Sequence, residues 1–212
     1  MKKLVAFGSS PIGGNTDYPC IIANTLGMEF EARVKTLTSN SKIARHILNY
    51  KHCQDTLILV SWTHTTRSEF RTEFGWMSTN INNYKWGRRA VKFEQDWYRG
   101  PGQWEYTSFS TTLKEILLAQ TYLKSNNVPY VFLFDNNEVV KSWLFDHPDD
   151  YLKSIIDMID WDKFVLFDGQ GFIPWCLENG HKGFNGHHVD TVAHQQAAEY
   201  VLSNWHLKSQ ML

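Results

Sequence analysis

The sequence predicts a single three-layer α/β/α domain built around a parallel sheet. Three observations carry that expectation. Short apolar runs recur at Leu4 to Phe7, Thr56 to Trp62 and Val128 to Phe134, the pattern of strands buried on both faces. Segments with helical spacing of apolar residues separate them, and such alternation places successive strands parallel in one sheet. The 212 residues suffice for one core, and no internal repeat, linker or low-complexity tract divides them.

Taken in order, Leu4 to Phe7 reads as a buried strand that Gly8-Ser9-Ser10 ends abruptly. A hydroxyl just past the carboxyl end of a parallel strand sits at the rim where open α/β sheets carry their sites. Tyr18 to Leu26 reads as a helix, with Asp17 as N-cap, Pro19 in the first turn and Gly27 at the end. Phe30 to Val34 is a second strand, and Ser41 caps a helix through Ile43, Ile47 and Leu48. Thr56 to Trp62 is the clearest strand of the chain.

From about residue 64 to residue 108 the pattern changes to an aromatic-rich insertion with poor periodicity, read as a lid, a binding loop or an oligomer contact. Helical register resumes from Thr111 to Leu123. Val128 to Phe134 is a strand, Tyr151 to Ile159 a helix and Phe164 to Phe167 a final short strand. Asp168 to His188 reads as a Gly- and aromatic-rich loop. The last helix runs from Thr191 to Asn204 with Ala193, Ala197, Ala198, Val201 and Leu202 on its apolar face.

Composition narrows the function classes. Lys and Arg total 21 against 22 Asp and Glu, so there is no basic excess of the kind a nucleic-acid backbone selects. No apolar run approaches a membrane span, and Met1-Lys2-Lys3 lacks the apolar stretch of a signal peptide. The expectation is a cytoplasmic protein, with incorporation into a virion leaving no mark. Cys20, Cys53 and Cys176 fit neither a zinc pattern nor a disulfide framework and read as free thiols. His181, His187, His188 and His194 match no zinc spacing, so no metal is expected. Arg67 and Glu69 are most simply an ion pair, and Cys176 beside Trp175 a buried small hydrophobe.

The chemistry-bearing pattern joins the two ends of the chain. Gly8-Ser9-Ser10 follows the first strand, and Asn185-Gly186-His187-His188 precedes the last helix, where His188 can face the same rim as Ser10. A seryl hydroxyl needs such a base to act as a nucleophile at neutral pH. Between them lies Ser61-Trp62-Thr63-His64, continuing as Thr66-Arg67-Ser68-Glu69-Phe70.

These stretches, in this order, resemble the SGNH (GDSL) hydrolase family, in particular its divergent versions in phage genomes. The family opens with a strand and Gly-Asp-Ser or Gly-Cys-Ser, and closes with Asp-x-x-His before a final helix. The resemblance implies a flavodoxin-like, SGNH-type sandwich and a serine hydrolase acting on an ester, such as an O-acyl group on a carbohydrate. It implies Ser10 as nucleophile and His188 as base. Asn185 stands where the family has its acid, so Asn185 or Asp190 orients the imidazole, or a Ser10–His188 dyad works without an acid. Backbone N–H groups of Ser10 and Leu37, with Thr63 in the family's Asn position, form the oxyanion hole. His64, Arg67 and Glu69 line the substrate pocket. The competing reading is a catalytically degenerate member serving as a virion component or a glycan- or protein-binding module, with the aromatic insertion as its contact surface, including contact with further copies of the chain.

Overall fold

The computed structural model describes residues 1–9, 12–34, 38–51, 55–72, 75–79, 105–181 and 189–205. The core sheet holds β1 (Lys3–Gly8), β2 (Glu29–Val34), β3 (Thr56–Trp62) and β6 (Tyr130–Phe134), all parallel, in the order β2-β1-β3-β6. A separate antiparallel hairpin pairs β4 (Ser68–Thr72) with β5 (Gly75–Thr79). The helices are α1 (Tyr18–Thr25), α2 (Asn40–Leu48), α3 (Glu105–Ser125), α4 (Trp143–Asp146), α5 (Asp150–Met158), α6 (Phe172–Glu178) and α7 (Thr191–Asn204). A 3-10 turn covers Trp161–Lys163. None of the described helices is long and apolar enough to cross a membrane.

The three layers follow from the pleat, because successive strand residues point to opposite faces. Leu4, Ala6, Leu57, Leu59, Val131 and Leu133 pack on one face against Tyr18, Ile22, Trp175, Ala197 and Val201, from α1, α6 and α7. Their chain neighbours Val5, Phe7, Ile58, Val60, Phe132 and Phe134 pack on the other against Ile43, Ile47, Phe109, Leu113, Ile116 and Leu152, from α2, α3 and α5. Every residue of β3 is buried, as a central parallel strand requires.

Several local expectations are corrected. The cap of α2 is Ser39, whose hydroxyl accepts from the Lys42 N–H, so the helix starts before Ser41. The aromatic insertion contains the β4–β5 hairpin, and α3 starts within it at Glu105 rather than at Thr111; the polar run Thr107-Ser108 and Ser110-Thr111-Thr112 masks the register that Phe109 shares with Leu113 and Ile116. The rest of the insertion, residues 80–104, lies outside the described residues.

Phe164 to Phe167 is not a full strand. Phe164 makes one parallel bridge to Phe132, and the chain then reverses at Asp168 (φ 51°) and Gly169 (φ 76°), closing a bridge between Phe167 and Gln170. The segment expected to be a loop holds α6. Pro174 lies in its first turn, where backbone N–H groups lack intrahelical acceptors, so the proline removes no hydrogen bond.

Two glycines let the carboxyl ends of the strands close up. A Cβ on Gly8 would stand 2.9 Å from the Ser61 carbonyl oxygen, and one on Gly171 would stand 2.4 Å from that of Asn136. The second contact is wholly with backbone, which cannot swing aside. Gly171→Ala should therefore lower stability by about 1–3 kcal/mol through overpacking, read as a lower urea midpoint with an unchanged slope.

Candidate active site at the carboxyl rim

In this sheet the chain leaves β1 toward β2 on one side and reaches β3 on the other, so the crevice between their carboxyl ends is the topological switch point. The paired register runs from Lys3 opposite Thr56 to Phe7 opposite Val60, and it carries Gly8 to Ser61. Ser9, which follows β1, and Thr63-His64, which follow β3, therefore leave adjacent strands side by side.

The centre of the rim is Asp135, the first residue after β6. Its carboxyl is fully buried and accepts the Ser9 hydroxyl on Oδ2 at 2.6 Å and the Ser61 hydroxyl on Oδ1. Its backbone N–H donates to the Trp62 carbonyl at 2.8 Å, and its carbonyl accepts from Ile173 at 3.0 Å. One residue thereby joins the ends of β1, β3 and β6 to α6. Burial pushes its carboxyl above the usual range, against the hydrogen bonds of Ser61 and Ser9 and the nearby charges of Arg67 and His64. Burial and then the charge of Asp135 raise the Tyr18 phenol well above its ordinary value.

Around Asp135, Asn40 clamps Thr63. The Asn40 side chain accepts the Thr63 N–H at 2.8 Å and donates to the Thr63 carbonyl and the Thr112 hydroxyl, each at 3.1 Å. The Thr63 hydroxyl accepts from Arg67 Nη1 at 2.6 Å. The Thr63 backbone donor is thus consumed by the Asn40 side chain. Burial lowers the Arg67 guanidinium's proton affinity, while Asp135 and Glu138 hold it up. Glu138 accepts from His64 Nδ1 at 2.5 Å, from the Thr65 N–H at 2.7 Å and from the Thr65 hydroxyl at 2.8 Å. Burial pushes the Glu138 carboxyl up, but those hydrogen bonds and the His64 charge outweigh it and leave it below its ordinary value.

Arg67 and Glu69 do not form the expected ion pair. Glu69 turns to Arg45 in a two-pronged contact of 2.8 and 3.1 Å, with its side chain only 1% exposed, and ties the hairpin to α2. Asp190 caps α7 by accepting the Ala193 N–H at 2.8 Å and lies 3.4 Å from His181 Nδ1. Cys176 is buried with its thiol pushed up to about 12 by desolvation, a packing residue as its sequence context implies. Ser10, Leu37, Asn185, His187 and His188 lie outside the described residues, as does Cys53.

The first and last of the described helices nevertheless meet. Buried His194, in the first turn of α7, accepts the Tyr18 N–H on Nδ1 at 3.2 Å and places Nε2 3.4 Å from Asp17. The start of α7 therefore packs against the start of α1. Asp135, Asn40 and Glu138 were missed in the sequence. The available signal was Asp135-Asn136-Asn137-Glu138 directly after a buried strand, a polar run at the sheet's functional end.

No family model matches the chain, and no curated protein matches it. Among solved structures, it is similar to a member of the lipolytic protein G-D-S-L family from Veillonella parvula DSM 2008, with 12% identity, a TM-score of 0.48, and 96% of this chain and 97% of that chain covered. It is also similar to a putative lipolytic protein of the G-D-S-L family from Desulfitobacterium hafniense DCB-2, with 10% identity, a TM-score of 0.44, and 96% and 99% covered.

Removing the Asp135 carboxyl orphans two buried hydroxyls, so Asp135→Ala should cost about 2–4 kcal/mol of unfolding free energy in chemical denaturation. The pH dependence has a definite sign. The folded protein holds the Asp135 proton more tightly than the unfolded chain does. The stability this contributes is complete below the unfolded value and is lost as pH rises through the raised folded one. Urea titrations across mildly acidic pH should show wild type losing stability relative to Asp135→Asn as pH rises.

Proposed function

We propose that this chain is a serine hydrolase acting on an ester, such as an O-acyl group on a carbohydrate. Ser10 Oγ attacks the ester carbonyl as His188 takes its proton. Asn185 or Asp190 orients the imidazole. The N–H groups of Ser10 and Leu37 and the Thr63 hydroxyl meet the developing oxyanion. A serine mechanism of this kind needs no cofactor.

One observation carries the reading. His194 holds the start of α7 against the start of α1, so the helices that follow His188 and Ser10 in the sequence begin at the same corner. The tether from Ser9 to Asp135 further supports it, because it fixes the residue before Ser10 at the switch point of the sheet. Asn185, an amide in place of an acid, favours the second reading: a non-catalytic virion component or glycan-binding module that keeps the fold.

Hydrolysis of short-chain aryl esters and acetylated sugars separates the two. Wild type should turn over, while Ser10→Ala and His188→Ala, matched for circular dichroism and melting, should each lose about 10³-fold or more in kcat. Equal turnover by all three proteins, or none by any, would remove the hydrolase reading.

A further inference from the structure

One cation at the rim lacks a counter-ion. Of the arginines whose side chains are described, Arg33 pairs with Glu31 and Arg45 with Glu69. Arg67 is half-buried in the turn after β3, and no carboxylate among the described residues stands within ion-pairing distance of it. Among those residues its guanidinium makes one hydrogen bond, from Nη1 to the Thr63 hydroxyl at 2.6 Å. A neutral hydroxyl returns little of what it costs to strip a guanidinium of water. That cost shows in the proton affinity of Arg67, which burial lowers.

The two carboxyls whose charges reach Arg67 are already committed elsewhere. Asp135 receives Ser9 and Ser61, and Glu138 receives His64 and Thr65. What stays open is the Nε–Nη2 edge of Arg67, a fork of two parallel N–H donors. Arg45 shows what that edge takes in this same protein: its Nε and Nη2 hold the two oxygens of Glu69 at 3.1 and 2.8 Å. Such a fork matches an oxyanion with two coplanar oxygens. The turn carrying Arg67 is closed by its N–H on the His64 carbonyl at 3.2 Å. His64 Nε2 likewise has no hydrogen-bond partner among the described residues.

We propose that Arg67 anchors an anion site at the carboxyl rim and takes the carboxylate of a ligand side-on through Nε and Nη2. A carboxylate suits the place better than a phosphate, because the nearby charge of Glu138 repels a dianion more strongly than a monoanion. The site is independent of the hydrolase reading, since neither Ser10 nor His188 takes part in it.

The test is a titration of the full-length protein with sodium acetate, sodium glucuronate, sodium phosphate and glucose at constant ionic strength. In proton–nitrogen correlation spectra one arginine Nε–H signal, absent from Arg67→Lys, should shift with acetate and glucuronate and stay in place with glucose. Tighter binding of glucuronate than of acetate assigns the site to acidic sugars; equal binding assigns it to carboxylic acids in general. Arg67→Lys keeps the charge but loses the fork, so it should raise the Kd for glucuronate about tenfold or more. Arg67→Met, matched to wild type by circular dichroism, should not bind it. No shift with either carboxylate, a Kd unchanged in Arg67→Lys, or tighter binding of phosphate than of glucuronate would overturn the proposal. Ester hydrolysis plays no part in the readout, so failure of the hydrolase reading leaves this test standing.

Discussion

The carboxyl end of this sheet depends on one buried carboxyl. Asp135 takes a hydroxyl from β1's exit, through Ser9, and another from within β3, through Ser61, and its backbone bonds to β3 and α6. Burying a carboxyl is costly unless its oxygens are hydrogen-bonded, and here each receives a donor. The cost remains visible as the upward shift of its proton affinity. Parallel strands otherwise end in unpaired backbone and diverging loops. The Asp135 hub makes the exits of β1, β3 and β6 one rigid corner.

The polar side chains around it form a layered arrangement. Asn40 uses both amide hydrogens and its oxygen to clamp Thr63 and Thr112, which are buried and need partners. Outside that layer lie Arg67, His64 and Glu138, half-buried, with opposite charges interleaved. Packed side chains cannot readily rearrange, so an imidazole mounted on such a base keeps its direction. Glu69 does different work: its pairing with Arg45 anchors the hairpin, so the polar run after β3 divides into a part facing the rim and a part bracing the fold.

The opposite side of the crevice is built by helices. Buried His194 bridges α7 to α1 through its two ring nitrogens, and Asp17 turns back to the Gly14 N–H rather than onto its own helix. This bridge brings the start of the last described helix against the start of the first. The α7 cap, Asp190, also lies near His181, which reaches Gln196 at 2.9 Å. His181 and Asp190 thus sit together beside the start of α7.

The sequence by itself determined the layers and much of their extent. β3 and α7 fall on the residues their patterns mark, because an unbroken apolar run and a capped amphipathic segment are set by local burial and hydrogen bonding. The order of the chemistry-bearing stretches was also legible there. Tertiary structure decided the partners: Asp135 meets Ser9 across 126 residues, His64 meets Glu138 across 74, and Glu69 chooses Arg45 over its near neighbour Arg67. Such pairings leave no periodic trace in a chain. They follow from strand order and register, which bring distant rim residues to within a strand's width of each other, and from the need of every buried polar group to find an acceptor or donor there.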